Sequence, residues 1–160
     1  VKAIGVGMNQ APMLARFVRE GDFDAIMCAG RYTLLDQVAL GELFEVCQAR
    51  GTAVVAAAVL NSGLLANPTP DARFDYAPAP PELLQRALAI KAVCEAHGVP
   101  LRAAALQFVF GHPVVVSVVA GVRSVDHLED ALANLQHPIP PALWRALKTE
   151  GLLPVEVPTP

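Results

Sequence analysis

Charge and aromatic side chains are scarce in this sequence. Of its 160 residues, 17% are charged and 6% are aromatic, whereas 54% are hydrophobic, and the formal net charge at pH 7 is −3. Without a block of basic residues, the chain lacks the electrostatic footprint of a nucleic-acid-binding protein. Its apolar runs also stay well short of the roughly 18 residues that a membrane-spanning helix needs. We therefore expect neither nucleic acid nor a membrane among its partners.

Cysteine is also scarce, and its pattern argues against two kinds of site. The three cysteines, Cys28, Cys47 and Cys94, are isolated and form no CxxC pair, which disfavours a disulfide framework and a zinc site. The four histidines are spread along the chain with a spacing that fits no set of metal ligands. Isolated cysteines within apolar segments are typical of buried, reduced thiols, so we expect a cytoplasmic protein.

The N-terminus lacks both an initiator methionine and the layout of a signal peptide. Val1–Gly5 lead directly into a strand-like run, so we expect the chain to begin within a longer protein. The glycine-rich fingerprint of dinucleotide-binding sheets is also missing. Gly5-Val6-Gly7 has no third glycine and no acidic residue after the next strand, so the sequence does not predict a domain of that kind.

Four apolar runs predict β-strands, and segments with helical spacing lie between them. Unbroken apolar runs are typical of strands that helices cover on both faces. The predicted strands are Ala3–Gly7, Phe23–Ala29, Thr52–Val59 and Val114–Ala120. The predicted helices are Gln10–Glu20, Leu40–Arg50, Pro81–His97, Leu101–Phe110, Ser124–Leu135 and Pro141–Thr149. A long proline-rich loop, Asn61–Pro81, interrupts this alternation, and loops of that length are usually functional or disordered.

The alternation of strands and helices predicts one α/β domain over residues 1–150. A parallel sheet with right-handed crossovers is the arrangement that such a pattern favours. Four strands of this kind form either a small open sheet or half of an eight-stranded barrel. Residues 151–160 are rich in proline and are expected to form a loose tail.

Glycine and polar residues gather where each predicted strand ends. The four segments are Gly7–Gln10, Gly30–Thr33, Asn61–Leu65 and Gly121–Ser124. In a parallel α/β protein these carboxyl ends lie along one edge of the sheet, where binding sites form. The sequence therefore places a candidate site at this edge.

The segment Gly121-Val122-Arg123-Ser124-Val125 is the most informative of the four. It puts a glycine, a guanidinium and a hydroxyl where a strand meets the start of a helix. A helix start offers free N–H groups and the positive end of the helix dipole, and arginine binds phosphate well. The alternative is an ordinary strand–turn–helix connection with a surface arginine.

Taken together, the four segments resemble the C-terminal half of an aldo-keto reductase. The resemblance runs from about Val1 to Leu135. Its most specific pieces are Leu34-Leu35 after Tyr32, Asn61-Ser62-Gly63-Leu64-Leu65, and Ala120–Ser124 followed by His127-Leu128-Glu129. Two further pieces, Ile4–Asn9 and Ala29–Tyr32, are similar to the branch of sugar and pyridoxal dehydrogenases.

The resemblance implies a (β/α)8 TIM barrel that transfers hydride between NAD or NADP and a carbonyl or alcohol. It implies that this chain supplies strands five to eight and binds the cofactor. Asn9 would contact the nicotinamide amide. The pyrophosphate would run along Asn61, Ser62 and Leu64. The adenosine side and any 2′-phosphate would be held by Gly121, Arg123, Ser124 and His127. Phosphate sites in such barrels favour the loops after strands seven and eight.

Several positions depart from the family's pattern. Met8 stands where many members have serine, and Ala29 where many have glutamine. The aromatic residue that stacks on nicotinamide in many members falls near Ala57. Ala120 stands in place of a proline, and His127 in place of a glutamine. The departures concern mainly the nicotinamide contacts, so the adenosine contacts follow the family more closely.

No catalytic residue is predicted within this chain. The family's aspartate, tyrosine, lysine and histidine lie on its first four strands, and the lysine lowers the pKa of the tyrosine that transfers the proton. Tyr32 and Tyr76 have no lysine in the matching position. We expect Tyr32 to pack or to form a hydrogen bond at the barrel rim. Arg31 either binds a substrate carboxylate or forms a surface salt bridge.

Two classes of function remain open at this point. The chain is either the cofactor-binding half of an NAD(P)-dependent oxidoreductase for a small carbonyl or sugar substrate, or a non-catalytic half-barrel that binds nucleotide or assembles with another half. A third possibility is a different barrel or a flavodoxin-like protein with a phosphorylated ligand. Open strand edges and an uncovered inner face predict pairing with the N-terminal half of a barrel or with a second copy.

Overall fold

Strands and helices alternate along the chain, and a computed structural model describes all residues from 1 to 160. In chain order the strands are β1 (Gly5–Met8), β2 (Ala25–Ala29), β3 (Ala53–Ala57), β4 (Arg73–Phe74), β5 (Ala77–Pro78) and β6 (Val115–Val119). One parallel sheet has the order β1-β2-β3-β6, while β4 and β5 form a separate antiparallel hairpin. The predicted α/β class and its four parallel strands are therefore confirmed.

Six α-helices connect and cover these strands. They are α1 (Ala11–Glu20), α2 (Glu42–Arg50), α3 (Pro81–Ala96), α4 (Leu101–Phe108), α5 (Val125–Gln136) and α6 (Pro141–Thr149). Proline stands in the first turn of α1, α3 and α6, where its missing N–H costs nothing. Gly51 ends α2 with a φ of 70°, a conformation that glycine adopts without strain. None of the helices has both the length and the apolar character that crossing a bilayer requires.

The loop predicted over Asn61–Pro81 is more regular than its composition indicates. It opens with a 3₁₀ turn at Asn61–Gly63 and then forms the β4–β5 hairpin. The two residues that connect β4 to β5, Asp75 and Tyr76, have φ of 49° and 67°. Two central residues with positive φ are typical of a type I′ hairpin turn, which Asn-Gly usually forms. An Asp-Tyr pair carries no such signal, so the sequence does not predict this hairpin.

The C-terminal tail is packed, and the expectation of a loose tail is wrong. Leu153 is fully buried, Val157 is 2% exposed, and both belong to the main core. The tail also passes so close to Gly111 that a Cβ there would lie 2.6 Å from the Cα of Thr159. Apolar side chains spaced between prolines supply enough burial to order the segment, and proline lowers the entropy lost in ordering it.

Helices cover only one face of the parallel sheet. The covered face includes the aligned row of Val6, Ile26, Val54 and Val115. The opposite face includes the aligned row of Gly7, Met27, Val55 and Ser117. Met27 is 41% exposed in the second row, whereas Ile26 is 1% exposed in the first. The sheet thus has the uncovered face that an open half-barrel predicts. Unbroken apolar runs alone favour helices on both faces, because the residues of this open face are small and apolar and resemble a core.

Both edges of the sheet are open, as predicted, because β1 and β6 each have a neighbour on one side only. The helices that follow these two edge strands in the chain carry exposed apolar side chains, Met13 and Phe17 on α1 and Leu128 and Leu132 on α5. Residues four apart lie on the same face of a helix, so each pair forms one exposed apolar stripe on its helix. Exposed apolar area of this kind usually marks an interface.

The three cysteines are free and buried, as predicted. Burial raises the pKa of the Cys28 and Cys94 thiols to about 12 and that of Cys47 to about 11. Because only the thiolate reacts with alkylating agents, we expect iodoacetamide at about pH 8 to leave all three unlabelled in the folded protein and to label them after unfolding. Peptide mass spectrometry checks this. Equal labelling rates before and after unfolding would contradict the buried placement.

Candidate cofactor site

Six of the eight predicted site residues lie in three turns along the carboxyl edge of the parallel sheet, and Leu64 and His127 follow the second and third of these turns. Asn9 follows β1, the turn Asn61–Gly63 comes shortly after β3, and Gly121–Ser124 connect β6 to α5. Because β3 and β6 are neighbours in the sheet, the second and third turns leave adjacent strands. The turn after β2, which lies between β1 and β3, carries Arg31.

The turn after β3 has a left-handed backbone and an unsatisfied amide. Ala58, Asn61 and Ser62 have φ of 52°, 46° and 57°, a region that is unfavourable for residues other than glycine and is best tolerated by asparagine. The Asn61 side chain is 3% exposed, and neither its Oδ1 nor its Nδ2 has a hydrogen-bond partner. Leaving a buried polar group unpaired costs about 1–3 kcal/mol. A donor and an acceptor are therefore available here for a polar ligand.

The two other predicted residues of this turn have different surroundings. Ser62 is exposed, and its Oγ accepts a hydrogen bond from the Tyr76 N–H at 3.3 Å. Leu64 is fully buried, and its N–H donates to the Asn61 carbonyl at 3.1 Å. Cofactor binding by Leu64 stays a prediction from the resemblance. Because the side chain is apolar and the N–H is already bonded, only the backbone carbonyl of Leu64 could contact a polar group of the cofactor.

The turn between β6 and α5 combines an exposed arginine, a serine cap and a glycine. Ser124 caps α5, and its Oγ accepts a hydrogen bond from the His127 N–H at 3.2 Å. Arg123 and His127 are exposed, and Arg123 belongs to none of the chain's seven salt bridges. A Cβ on Gly121 would meet no atom within 4 Å. A free guanidinium, an open backbone at Gly121 and the first turn of a helix together suit a phosphate.

Arg31 connects the first turn with the loop after β3. Its Nε donates to the Asn9 carbonyl at 2.9 Å, and its terminal nitrogens donate to Asp36 at 3.2 Å and to Asp75 at 2.5 Å. Of the two alternatives for Arg31, the structure contains the salt bridge. The sequence gives no signal for Asp75, which lies in the proline-rich loop without a motif around it.

The chain contains no arrangement suited to proton transfer around its buried tyrosine. Tyr32 packs against Phe44 and Phe108, with ring centroids 4.8 and 5.0 Å apart. Its hydroxyl has no partner, and burial raises its pKa, whereas a catalytic tyrosine needs a lowered one. Of the two expectations for Tyr32, the structure therefore shows packing and not a hydrogen bond. No three or more histidine, cysteine, aspartate or glutamate side chains are placed to hold a metal ion.

Comparison with known protein families shows where the chain belongs. The model of the aldo/keto reductase family matches residues 1–149. The chain belongs to the aldo/keto reductase family. The site residues fit the nucleotide cofactor of that family, since they offer an orphaned buried amide, a free arginine and an open glycine at the carboxyl edge of the sheet.

Two relatives place the chain within the branch that the sequence resembles. It is 40% identical over 154 residues to pyridoxal 4-dehydrogenase from Microbacterium luteolum, a match that covers 96% of this chain and 45% of the relative. It is 45% identical over 156 residues to D-threo-aldose 1-dehydrogenase from Pseudomonas sp, covering 96% of this chain and 47% of the relative. The chain thus spans about half the length of these curated relatives.

A solved structure supports the fold. The holo form of an aldo-keto reductase from Bacillus halodurans superposes with a TM-score of 0.69 at 21% identity, covering 96% of this chain and 50% of that chain. The chain therefore has the fold of about half of an aldo-keto reductase chain.

Proposed function

We propose that this chain is the cofactor-binding, C-terminal half of an NAD(P)-dependent oxidoreductase and supplies strands five to eight of a (β/α)8 barrel. Its substrates are aldehydes, ketones or sugar hydroxyls, in keeping with the pyridoxal and aldose named for its relatives. The observation that carries the proposal is the buried, unpartnered amide of Asn61 at the carboxyl edge of the sheet. In a member of this family, that is where a nucleotide would supply the missing hydrogen bonds.

Each turn of the site has a separate part in holding the nucleotide. Asn9 would donate to or accept from the nicotinamide amide. The Asn61 amide and the Ser62 hydroxyl would bind polar groups near the pyrophosphate. Arg123 would pair with a phosphate of the adenosine part, beside the space at Gly121. His127 and the Ser124 cap, both in the first turn of α5, would complete this end.

The chemistry of the reaction divides between the cofactor and two halves of a barrel. When bound, the cofactor donates or accepts a hydride at its nicotinamide ring. The residues of this chain bind and orient it, and they hold no proton for the substrate. Proton transfer therefore falls to residues of an N-terminal half, which would also complete the substrate pocket.

Removing the Arg123 guanidinium should weaken cofactor binding in the complete enzyme. We expect Arg123→Ala to cost about 1.5–3 kcal/mol of binding free energy, because it removes a charge-assisted contact to phosphate. The loss should be larger for NADP than for NAD, since NADP has one more phosphate. Calorimetric titration with both cofactors measures the two losses.

Arg145→Ala is the matched control, because Arg145 is an exposed arginine on α6, outside the site, that belongs to no salt bridge. It should leave both affinities unchanged. Unchanged affinities in Arg123→Ala as well would mean that Arg123 is a surface residue without a cofactor role.

A second candidate function is a non-catalytic half-barrel that binds nucleotide or serves in assembly. The observation that favours it is the lack of a proton-transferring pair in the described chain, where the phenol of Tyr32 is buried without a partner. The two candidates differ in what an N-terminal half contributes. Hydride transfer after its addition supports the oxidoreductase, whereas nucleotide binding without turnover supports the assembly module.

A further inference from the structure

Arg31 has no part in the proposed cofactor contacts, yet its guanidinium joins three segments of the carboxyl edge. It bonds the Asn9 carbonyl after β1, Asp36 in its own turn and Asp75 in the hairpin after β3. Its side chain is only 17% exposed. All three bonds are charge-assisted on the arginine side, and the Asp36 and Asp75 side chains are 22% and 44% exposed.

The hairpin Arg73–Pro78, which we call the arm, lies directly against the Asn61 turn. The Tyr76 N–H donates to the Ser62 hydroxyl at 3.3 Å. The Asp75 Oδ1 and the Asn61 Nδ2 both lie near Gly30, since a Cβ on Gly30 would be 3.9 Å from each. The tip of the arm therefore contacts the turn that carries the unpartnered amide.

The arm has little else to hold it in place. Its two strands contain two residues each, and a hairpin of that size is not stable by itself in water. Tyr76 at its tip is 84% exposed and so contributes almost no packing. Phe74 is the one arm side chain that packs against the core as an apolar group. The ion pair between Arg31 and Asp75 is thus the main polar attachment of the arm to the sheet.

We propose that Arg31 is a positioning residue of the cofactor site, which holds the arm against the Asn61 turn through Asp75 and fixes the Asn9 backbone through the same guanidinium. Its effect on nucleotide affinity rests on the proposed function, whereas the attachment of the arm does not. Lysine could not replace Arg31, because an ammonium group lacks the planar fork that bonds three acceptors in different directions.

Trypsin measures the attachment of the arm without any cofactor. Arg73 is the only trypsin site between Arg50 and Arg86, so cleavage after Arg73 reports the arm alone. With this chain joined to its N-terminal half, we expect Arg31→Gln and Asp75→Asn each to be cleaved there about tenfold faster than the wild type. The double variant should be cleaved no faster than Arg31→Gln, because Arg31→Gln already breaks the bond that Asp75→Asn removes.

Asp36→Asn is the matched control, because Asp36 bonds the same guanidinium at 3.2 Å but lies in the turn of Arg31 and not in the arm. Its cleavage should stay within about twofold of the wild type. If Arg31→Gln fails to fold, Asp75→Asn carries the test, since Asp75 lies on an exposed hairpin.

Nucleotide titration of the same proteins tests positioning. We expect Arg31→Gln and Asp75→Asn to weaken NAD or NADP binding about tenfold, and Asp36→Asn to leave it unchanged. A lower melting temperature with unchanged cleavage and affinity would overturn the proposal and leave Arg31 a structural residue. Faster cleavage with unchanged affinity would overturn the positioning role. If the wild type binds neither nucleotide, the proposed function fails, and cleavage still decides whether Arg31 holds the arm.

Discussion

The chain by itself should show no turnover with NAD or NADP on aldehydes, ketones or aldoses. Burial raises the pKa of its buried tyrosine, Tyr32, which disfavours proton transfer by that phenol, and loss of acid–base catalysis alone costs about 10²–10⁴-fold in rate. The open face of the sheet also leaves the reacting groups exposed to water. Absorbance of the reduced nicotinamide, followed over hours with purified chain, measures the rate.

Addition of an N-terminal half as a separate polypeptide is the control for that experiment. Turnover should rise from background only when both parts are present. Turnover above background by the chain alone, free of contaminating reductase, would mean that the proton is transferred by residues of this chain and that the proposed division of labour is wrong.

The isolated chain should not be a stable monomer in solution. The open face exposes Met27 and Val119, and the edge strand β6 exposes 60% of Val116. Each apolar side chain of this size gains about 1.5–3 kcal/mol on burial. We expect self-association in sedimentation experiments and no cooperative melting transition in calorimetry. When an N-terminal half is added, the chain should instead form a defined one-to-one complex that melts cooperatively.

Two lysine substitutions show which surface drives the association. Met27→Lys places a charge on the open face, where burying it unpaired costs several kcal/mol, and should block both self-association and pairing with the other half. Leu88→Lys, at a comparably exposed apolar position on α3, should change neither. A monodisperse wild-type chain that melts cooperatively would mean that the open face needs no cover.

The strands could be predicted from the sequence because each is a short apolar run bounded by glycine or polar residues. The sequence did not predict which side chains of each strand face the helices. Met27 and Val55 are apolar on the open face, so hydrophobic alternation, the usual signal for a solvent-facing side, is absent. The proline content of the tail predicted a loose segment, although two of its apolar residues, Leu153 and Val157, pack into the core.

Part of the candidate site could also be predicted from the sequence, and part could not. The turns that carry Asn61 and Arg123 follow from glycine and polar residues at strand ends and from the resemblance. The bond between Arg31 and Asp75 joins residues 44 positions apart, and no local pattern encodes such a pairing. Nor does the sequence indicate that Asn61 is left without partners, because satisfaction of an amide depends on the packing around it.

Titration of the reconstituted two-part protein with NAD and NADP tests the central claim most directly. We predict one nucleotide site per complex, weakened by Arg123→Ala and unaffected by Arg145→Ala. A complex that sediments as one copy of each half but binds neither nucleotide would contradict the assignment of this chain as the cofactor-binding half of an oxidoreductase.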